Sequence, residues 1–348
     1  MKKTLAGFFL GLALALSLTL LAGENPLHIA RILFNSAFGS RYDLGLTLFY
    51  TTPLIFCGLS VALAFHAGLF NIGGEGQLTM ATLAAAATGV FFPHLPFPLA
   101  PLFALMMALL AGAFWGWMAG WLRAVRGSHE VVVTIMLNFI AAGLASWFTL
   151  KIIPNPSSQN PETALVGPGY FLRDYDLIAR AFPETPVSAA LPVAVGVAIL
   201  VWGLLWKTSF GYELRAVGSN PEAAQRAGIS TKRIRILAMT LAGALAGFVA
   251  LGEVMGSSGQ FKIGFSADYG FIGIAVALLA QNNPLGVVLA AFLMGALHKG
   301  AADLDLETTT ITRDFSKILQ SLIILGVASQ GLWSWRRRSP VKTGDKND

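Results

Sequence analysis

Long apolar runs dominate the chain, and they limit its possible folds more than any other feature. A bilayer-spanning helix needs about 20 mainly apolar residues, and in this chain of 348 residues 55% are hydrophobic and only 12% are charged. The pattern predicts an all-α membrane protein, a single polytopic transmembrane domain over residues 1–335 with no room for a large soluble domain. It contains about ten transmembrane helices, at 5–22, 44–66, 73–91, 97–122, 131–150, 187–206, 234–252, 269–281, 284–298 and 316–333.

The distribution of charge predicts the orientation of these spans. If residues 1–4 lie inside, then 15 of the 24 Lys and Arg residues but only 6 of the 18 Asp and Glu residues fall on the inner side. Basic residues favour the cytoplasmic side of membranes. We therefore expect both termini in the cytoplasm, with a basic tail over 336–348, and we attribute the net charge of +6 to membrane topology and not to binding of nucleic acid.

Three segments can be interpreted in more than one way. The runs 269–281 and 284–298 are short, and we favour two full spans over two half-helices. Residues 5–22 resemble a secretory signal peptide but exceed its usual apolar length, so a retained first span is favoured. The stretch 25–38 has near-helical apolar spacing and is expected on the outer surface, while the polar loop 151–186 is either a docking site for a partner or a plain solvated loop.

The chemistry of enzymes and ion-coupled carriers has little support in the sequence. The chain has no phosphate-binding loop, no His-Glu-x-x-His motif and no nucleophile elbow. Its single cysteine, Cys57, excludes an intrachain disulfide and offers no thiolate cluster for a metal. Because Glu75, Glu130 and Glu253 fall at predicted span ends, a proton-coupled or sodium-coupled carrier is disfavoured. A membrane-embedded enzyme is disfavoured too, and any energy source must lie in another protein.

The largest inner loop, 207–235, contains clear helix signals. Asn220 is a good N-cap, Pro221 suits the first helical position, and Gly228 suits the left-handed residue that ends a helix. These signals predict one short helix over 221–227, followed by a cap at Ser230 for the next span. Seven residues do not form a stable helix alone. The helix therefore needs a packing surface, which is either a soluble partner or the membrane interface.

Four stretches, taken together, resemble one family. Residues 211–229, Gly-Tyr-Glu-Leu-Arg-Ala-Val-Gly-Ser-Asn-Pro-Glu-Ala-Ala-Gln-Arg-Ala-Gly-Ile, resemble the "EAA" coupling loop of ABC importer permeases of the ribose, branched-chain amino-acid and nucleoside class. The Gly-rich stretch 67–78, the stretch 129–138 and the stretch 270–286 agree with the same family in the same order. The resemblance is greatest to the longer subunit of the nucleoside branch, and ribose or riboflavin is also a possible cargo.

The resemblance implies a non-enzymatic permease subunit of the inner membrane that forms a translocation pathway driven by ATP hydrolysis elsewhere. Its implied partners are a second homologous permease, two ABC ATPase subunits that hold ATP and magnesium, and an extracytoplasmic substrate-binding protein. No cofactor is expected on this chain. The resemblance also implies the residues of the coupling element: Glu213, Arg215, Gly218, Asn220, Glu222, Arg226 and Gly228.

Polar residues within or next to apolar spans are the candidates for the substrate pathway, because a nucleoside needs hydrogen bonds for its sugar and its base. The candidates are Asn71, Glu75, Gln77, Asn138, Glu253, Gln260 and Asp268. A structural role competes with this one at each position. Asn71 is expected to shape a helix boundary, and Asn138 to bond a neighbouring helix. The nearby aromatic residues Phe261, Phe265, Tyr269 and Phe271 are expected to serve in packing or at the membrane interface.

Overall fold

The computed structural model describes residues 2–172, 177–182, 184–266 and 268–308, together with 318, 321–322 and 325–326. Within these ranges the chain is helical, with two isolated β-bridges and no strand. The predicted span at 316–333 and the tail at 336–348 lie almost entirely outside the described residues.

The helices follow the predicted apolar runs closely. In chain order they are α1 (Lys2–Leu18), α2 (Pro26–Phe38), α3 (Arg41–His66), α4 (Gly74–Phe91), α5 (Leu99–Arg126), α6 (Glu130–Lys151), α7 (Leu177–Ala181), α8 (Ala190–Lys207), α9 (Ser209–Ser219), α10 (Pro221–Arg226), α11 (Thr231–Gly247), α12 (Tyr269–Leu279) and α13 (Pro284–Glu307). A π-helical segment, Leu251–Ser258, continues α11. Six stretches among the described residues are long and apolar enough to span a membrane: α3, α5, α6, α8, α13 and the joined stretch Thr231–Ser258.

Two predicted spans differ from what the structure shows. Helix α12 has 11 residues, about 17 Å at 1.5 Å per residue, which is too short for a hydrocarbon core of about 30 Å. Helix α13 has 24 residues and extends well past the predicted end at 298. The segment 269–281 is therefore a short helix and not a full span, while the second segment is long enough to be one.

Helix α3 lies at the centre of the bundle. It is buried from Thr51 to Ala64 and packs against α8, α11, α12 and α13. Helices α5 and α11 cross at small residues, which allow two helix backbones to approach closely. At this crossing Gly112 and Gly243 bring the two backbones into direct contact, and each leaves no room for a side chain.

The first part of the predicted outer loop is folded onto the bundle. Thr163 and Val166 donate backbone hydrogen bonds to Phe261 and Gly259, at 2.9 and 2.8 Å. The Tyr170 hydroxyl is buried and donates to the Phe92 carbonyl at 3.0 Å, and burial raises the pKa of this hydroxyl. Residues 162–172 are therefore packed against the bundle, while most of 154–161 are exposed, as in a plain solvated loop. We call this end of the bundle the outer-loop end, and the end that carries 207–230 the coupling-loop end.

Candidate functional site

Two regions hold the predicted site residues, and the first is the coupling-loop end. Here α9 and α10 follow one another, and each has a side-chain cap. Thr208 accepts a hydrogen bond from the Gly211 amide at 3.1 Å, and Asn220 accepts from the amides of Glu222 and Ala223 at 3.1 and 3.0 Å. Gly228 has φ +83°, as its predicted role as helix terminator requires. The predicted short helix and its caps are confirmed.

Helix α9 was not predicted from the sequence. Its buried residues are Gly211, Leu214 and Val217, which repeat at three-residue intervals along one face. Gly211 and Gly218 obscured this signal, because glycine disfavours a helix interior. Each glycine is needed for close packing: Gly211 lies against backbone carbonyls of α8, and Gly218 against the backbone of His66 and Gly68. Helix α9 is therefore fixed directly to the ends of α8 and α3.

The charged coupling residues divide into two groups. Glu222 and Arg226 are exposed on α10, next to the exposed Asn220 and Gly228. Glu213 and Arg215 are partly buried on α9, and the Arg215 guanidinium lies 5.7 Å from the centre of the Trp206 ring. Since α10 rests on the buried Ala224, its charged face is left for solvent or for a partner.

His66 joins three elements beneath α9. Its Nε2 lies 2.9 Å from the carbonyl oxygen of Asn282, in the turn between α12 and α13. Its ring meets the Trp206 ring of α8 edge to face at 5.3 Å. The end of α3 that contacts α9 is therefore also linked to α8 and to the α12–α13 turn.

Three of the predicted pathway residues hold helices together inside the bundle. Asn71 and Gln77 are buried and exchange two side-chain hydrogen bonds, at 3.0 and 3.1 Å. Asn138 of α6 accepts from the Gly76 amide at 2.9 Å and donates to the Ile72 carbonyl at 3.0 Å. Their amide groups are committed to these partners, which supports a structural role at all three positions.

Glu75 joins the starts of two helices. Its carboxyl oxygens accept hydrogen bonds from the Ser266 hydroxyl and from the Gly270 amide, the latter at 2.8 Å. Gly270 also lies against the backbone of Gly74 and Glu75. Because α12 covers only about 17 Å from the turn at Asn282, this junction lies within the bundle and not at its surface. An acidic group at a helix N-terminus is favourable there.

The second region is a cavity of about 250 Å³ towards the outer-loop end. It lies between α3, α4, the π-helical segment and the connection to α12, and its lining residues are Phe49, Tyr50, Thr82, Glu253, Val254, Ser257, Ser258, Gln260, Phe261, Lys262, Phe265 and Tyr269. Two predicted pathway residues, Glu253 and Gln260, are among them. Asp268 is exposed, with φ +70°, at the N-terminus of α12.

Glu253 and Gln260 differ in their surroundings. Gln260 donates to Glu162 of the outer loop at 2.7 Å and so ties that loop to the cavity rim. Glu253 lies inside the stretch Thr231–Ser258 and not at a span end, which corrects the sequence interpretation. Its carboxyl group hydrogen-bonds the Tyr269 hydroxyl, while its Oε1 is buried and has no hydrogen-bond partner among the described residues.

Sequence reasoning missed two further polar groups, both on α13. The ring of His298 lies 4.9 Å from that of Tyr50 and 5.8 Å from that of Tyr269. Lys299, which is 4% exposed, pairs with Asp303 and lies 3.6 Å from Asp43. A polar residue within the apolar run of α13 was the available signal. The described residues contain no group of three or more His, Cys, Asp or Glu side chains arranged to hold a metal ion.

Comparisons with known proteins agree on one family. Residues 44–328 match the family described as the permease component of branched-chain amino acid transport systems. The guanosine ABC transporter permease protein NupP of Bacillus subtilis is 36% identical over 93% of this chain and 92% of its own length. The nucleoside permease protein NupB of Lactococcus lactis is 34% identical, over 92% and 88%. The glucose permease protein TsgB13 of Haloferax volcanii is 32% identical, over 86% and 80%.

The family accounts for the long apolar helices and for the exposed charged segment of this chain. Long apolar helices form a membrane domain, and a capped, charged segment is exposed at one end. This family consists of transport subunits, which excludes both the membrane-embedded enzyme and the ion-coupled carrier. The chain belongs to the ABC transporter permease family, and it is a multi-pass subunit of the cytoplasmic membrane.

Proposed function

We propose that this chain is the longer permease subunit of an ABC importer for nucleosides. Sequence similarity carries this proposal: two relatives that match about nine-tenths of the chain are named for guanosine and for nucleosides. Glucose is the second candidate cargo, because a third relative of similar coverage is named for it. Ribose and riboflavin are further candidate cargoes for an importer of this class.

The proposed assembly contains this chain, a second homologous permease, two ABC ATPases and an extracytoplasmic binding protein. ATP and magnesium belong to the ATPases. The proposed topology places the N-terminus in the cytoplasm, so that 207–235 faces the ATPases and 153–172 faces the binding protein. It follows the charge distribution of the loops.

The coupling element is proposed to convert closure of the ATPase pair into movement of the permease. Glu222 and Arg226 point away from the bundle and offer paired charges to an ATPase groove. Helix α9 lies between this surface and α3, and its contact through Gly218 is backbone against backbone. A contact of that kind transmits displacement, because no flexible side chain lies in it to absorb the movement.

The test is a charge reversal on the exposed face of α10. We expect Glu222→Arg to reduce co-purification of the ATPases at least fivefold while leaving membrane insertion intact. Glu184→Arg is the matched control, since it makes the same change at an exposed residue of the proposed outer side. Equal ATPase recovery with Glu222→Arg and Glu184→Arg would contradict the coupling role.

A further inference from the structure

The cavity towards the outer-loop end has the size and position of a small-molecule site. Its volume of about 250 Å³ is close to the lower end of the usual range for ligand pockets. Its walls come from four separate parts of the chain, represented by Tyr50, Thr82, Glu253 and Phe265. Ligand pockets commonly lie between the helices of a bundle.

One wall carries an unpaired polar atom. The Oε1 of Glu253 is buried without a partner among the described residues, whereas two neighbouring polar side chains are hydrogen-bonded. Gln260 bonds Glu162, and Ser258 bonds the backbone carbonyls of Glu253 and Gln260. A buried polar atom without a hydrogen bond is costly. Glu253 lines the cavity, so a ligand with a hydroxyl or N–H group would relieve that cost.

Aromatic rings make up much of the remaining lining. Phe261 and Phe265 meet edge to face at 5.5 Å on the connection to α12, and Phe49 and Tyr50 lie 5.5 Å apart on α3. Tyr269 is the fifth ring. Five aromatic side chains from three parts of the chain therefore line the cavity, and aromatic rings can stack on a nucleobase.

We propose that this cavity is a nucleoside-binding chamber on the translocation pathway, in which aromatic side chains hold the base and Glu253 accepts a hydrogen bond from the nucleoside. This inference rests on the proposed function and adds the site to it. The aromatic lining favours a nucleoside over a free sugar, which has no aromatic ring to stack on it.

The probe is 8-azidoguanosine, applied under light to washed membranes that contain the full chain with its transport partners but no soluble binding protein. Label is expected on two tryptic peptides, 236–262, which contains Glu253 and Phe261, and 263–299, which contains Phe265 and Tyr269. Excess unlabelled guanosine should displace it, and ribose should not. Label confined to other peptides would overturn the proposal.

Variants then test the two chemical features separately. We expect Glu253→Leu to raise the concentration for half-maximal labelling about tenfold and Phe265→Leu about fivefold. Glu253→Gln keeps one carbonyl oxygen and should fall between Glu253→Leu and the wild type. Phe56→Leu is the control, because Phe56 is buried in α3 against Phe248 and does not line the cavity. Equal labelling by all four variants would overturn the site.

Uptake by the wild type distinguishes a failure of this inference from a failure of the proposed function. ATPase-dependent guanosine uptake together with labelling that is insensitive to Glu253 would overturn the chamber and keep the importer. Absence of any nucleoside uptake would overturn both. Glucose uptake that depends on Glu253, without nucleoside uptake, would overturn the assignment of the cavity to nucleosides.

Discussion

Replacement of Gly218 by alanine tests how α9 is attached to the bundle. A methyl group at Gly218 would lie 2.8 Å from the Gly68 nitrogen and 2.9 Å from the His66 carbonyl carbon, and still closer to the His66 oxygen. Alanine ordinarily stabilises a helix by about 1 kcal/mol relative to glycine. Overpacking usually costs about 1–3 kcal/mol, and the upper part of that range applies here because every atom met is backbone. We therefore expect a net loss of about 1–2 kcal/mol.

The adjacent residue provides the control for that prediction. Ser219 lies on the same helix and is exposed, so Ser219→Ala should be neutral or slightly stabilising through helix propensity alone. Thermal unfolding of the purified permease complex in detergent measures both changes. The account predicts a lower midpoint for Gly218→Ala and an equal or higher one for Ser219→Ala. A higher midpoint for Gly218→Ala would refute the close backbone contact.

Three further predictions concern the polar groups that hold the helices. Asn220→Ala removes two cap hydrogen bonds from α10 and should cost about 1 kcal/mol of helix stability. We expect amide exchange over 222–227 to become at least fivefold faster, and unchanged exchange would count against the cap. Asn138→Leu leaves the Gly76 amide unpaired, which should destabilise by about 1–3 kcal/mol, so an unshifted thermal midpoint would show that this bond is dispensable. Lys299→Met leaves Asp303 and Asp43 without their buried cation. Because these two side chains are 24% and 23% exposed, the cost should be below the roughly 3–5 kcal/mol of a fully buried pair. The added change Asp303→Leu should restore part of the midpoint, and no restoration would contradict the pairing.

The helices were predictable where one physical signal dominates. Apolar length located α3, α5, α6 and α8, and the sequence Asn220-Pro221 located α10 because capping is a local property. The limits of α12 were predicted to within two residues, but its packing inside the bundle was not. That packing depends on the contact of Gly270 with Glu75, 195 residues away in the chain.

The candidate site was predictable only in part, for a similar reason. Polar residues in apolar runs are easily found, but their partners decide their roles. Asn71 and Gln77 pair with each other. Glu253 lines a cavity, and its Oε1 has no hydrogen-bond partner among the described residues. The contact between the Tyr50 and His298 rings cannot be found from the sequence, because it forms only when α3 and α13 pack together.

Uptake of labelled guanosine, uridine, ribose and glucose by cells that express this chain with its transport partners is the most direct test of the proposed function. The measurement is made with active ATPase subunits and with inactivated ones. The account predicts uptake of guanosine and uridine that disappears when the ATPase is inactivated. Uptake of glucose or ribose alone would contradict the nucleoside assignment, and uptake that persists without ATPase activity would contradict coupling to ATP hydrolysis.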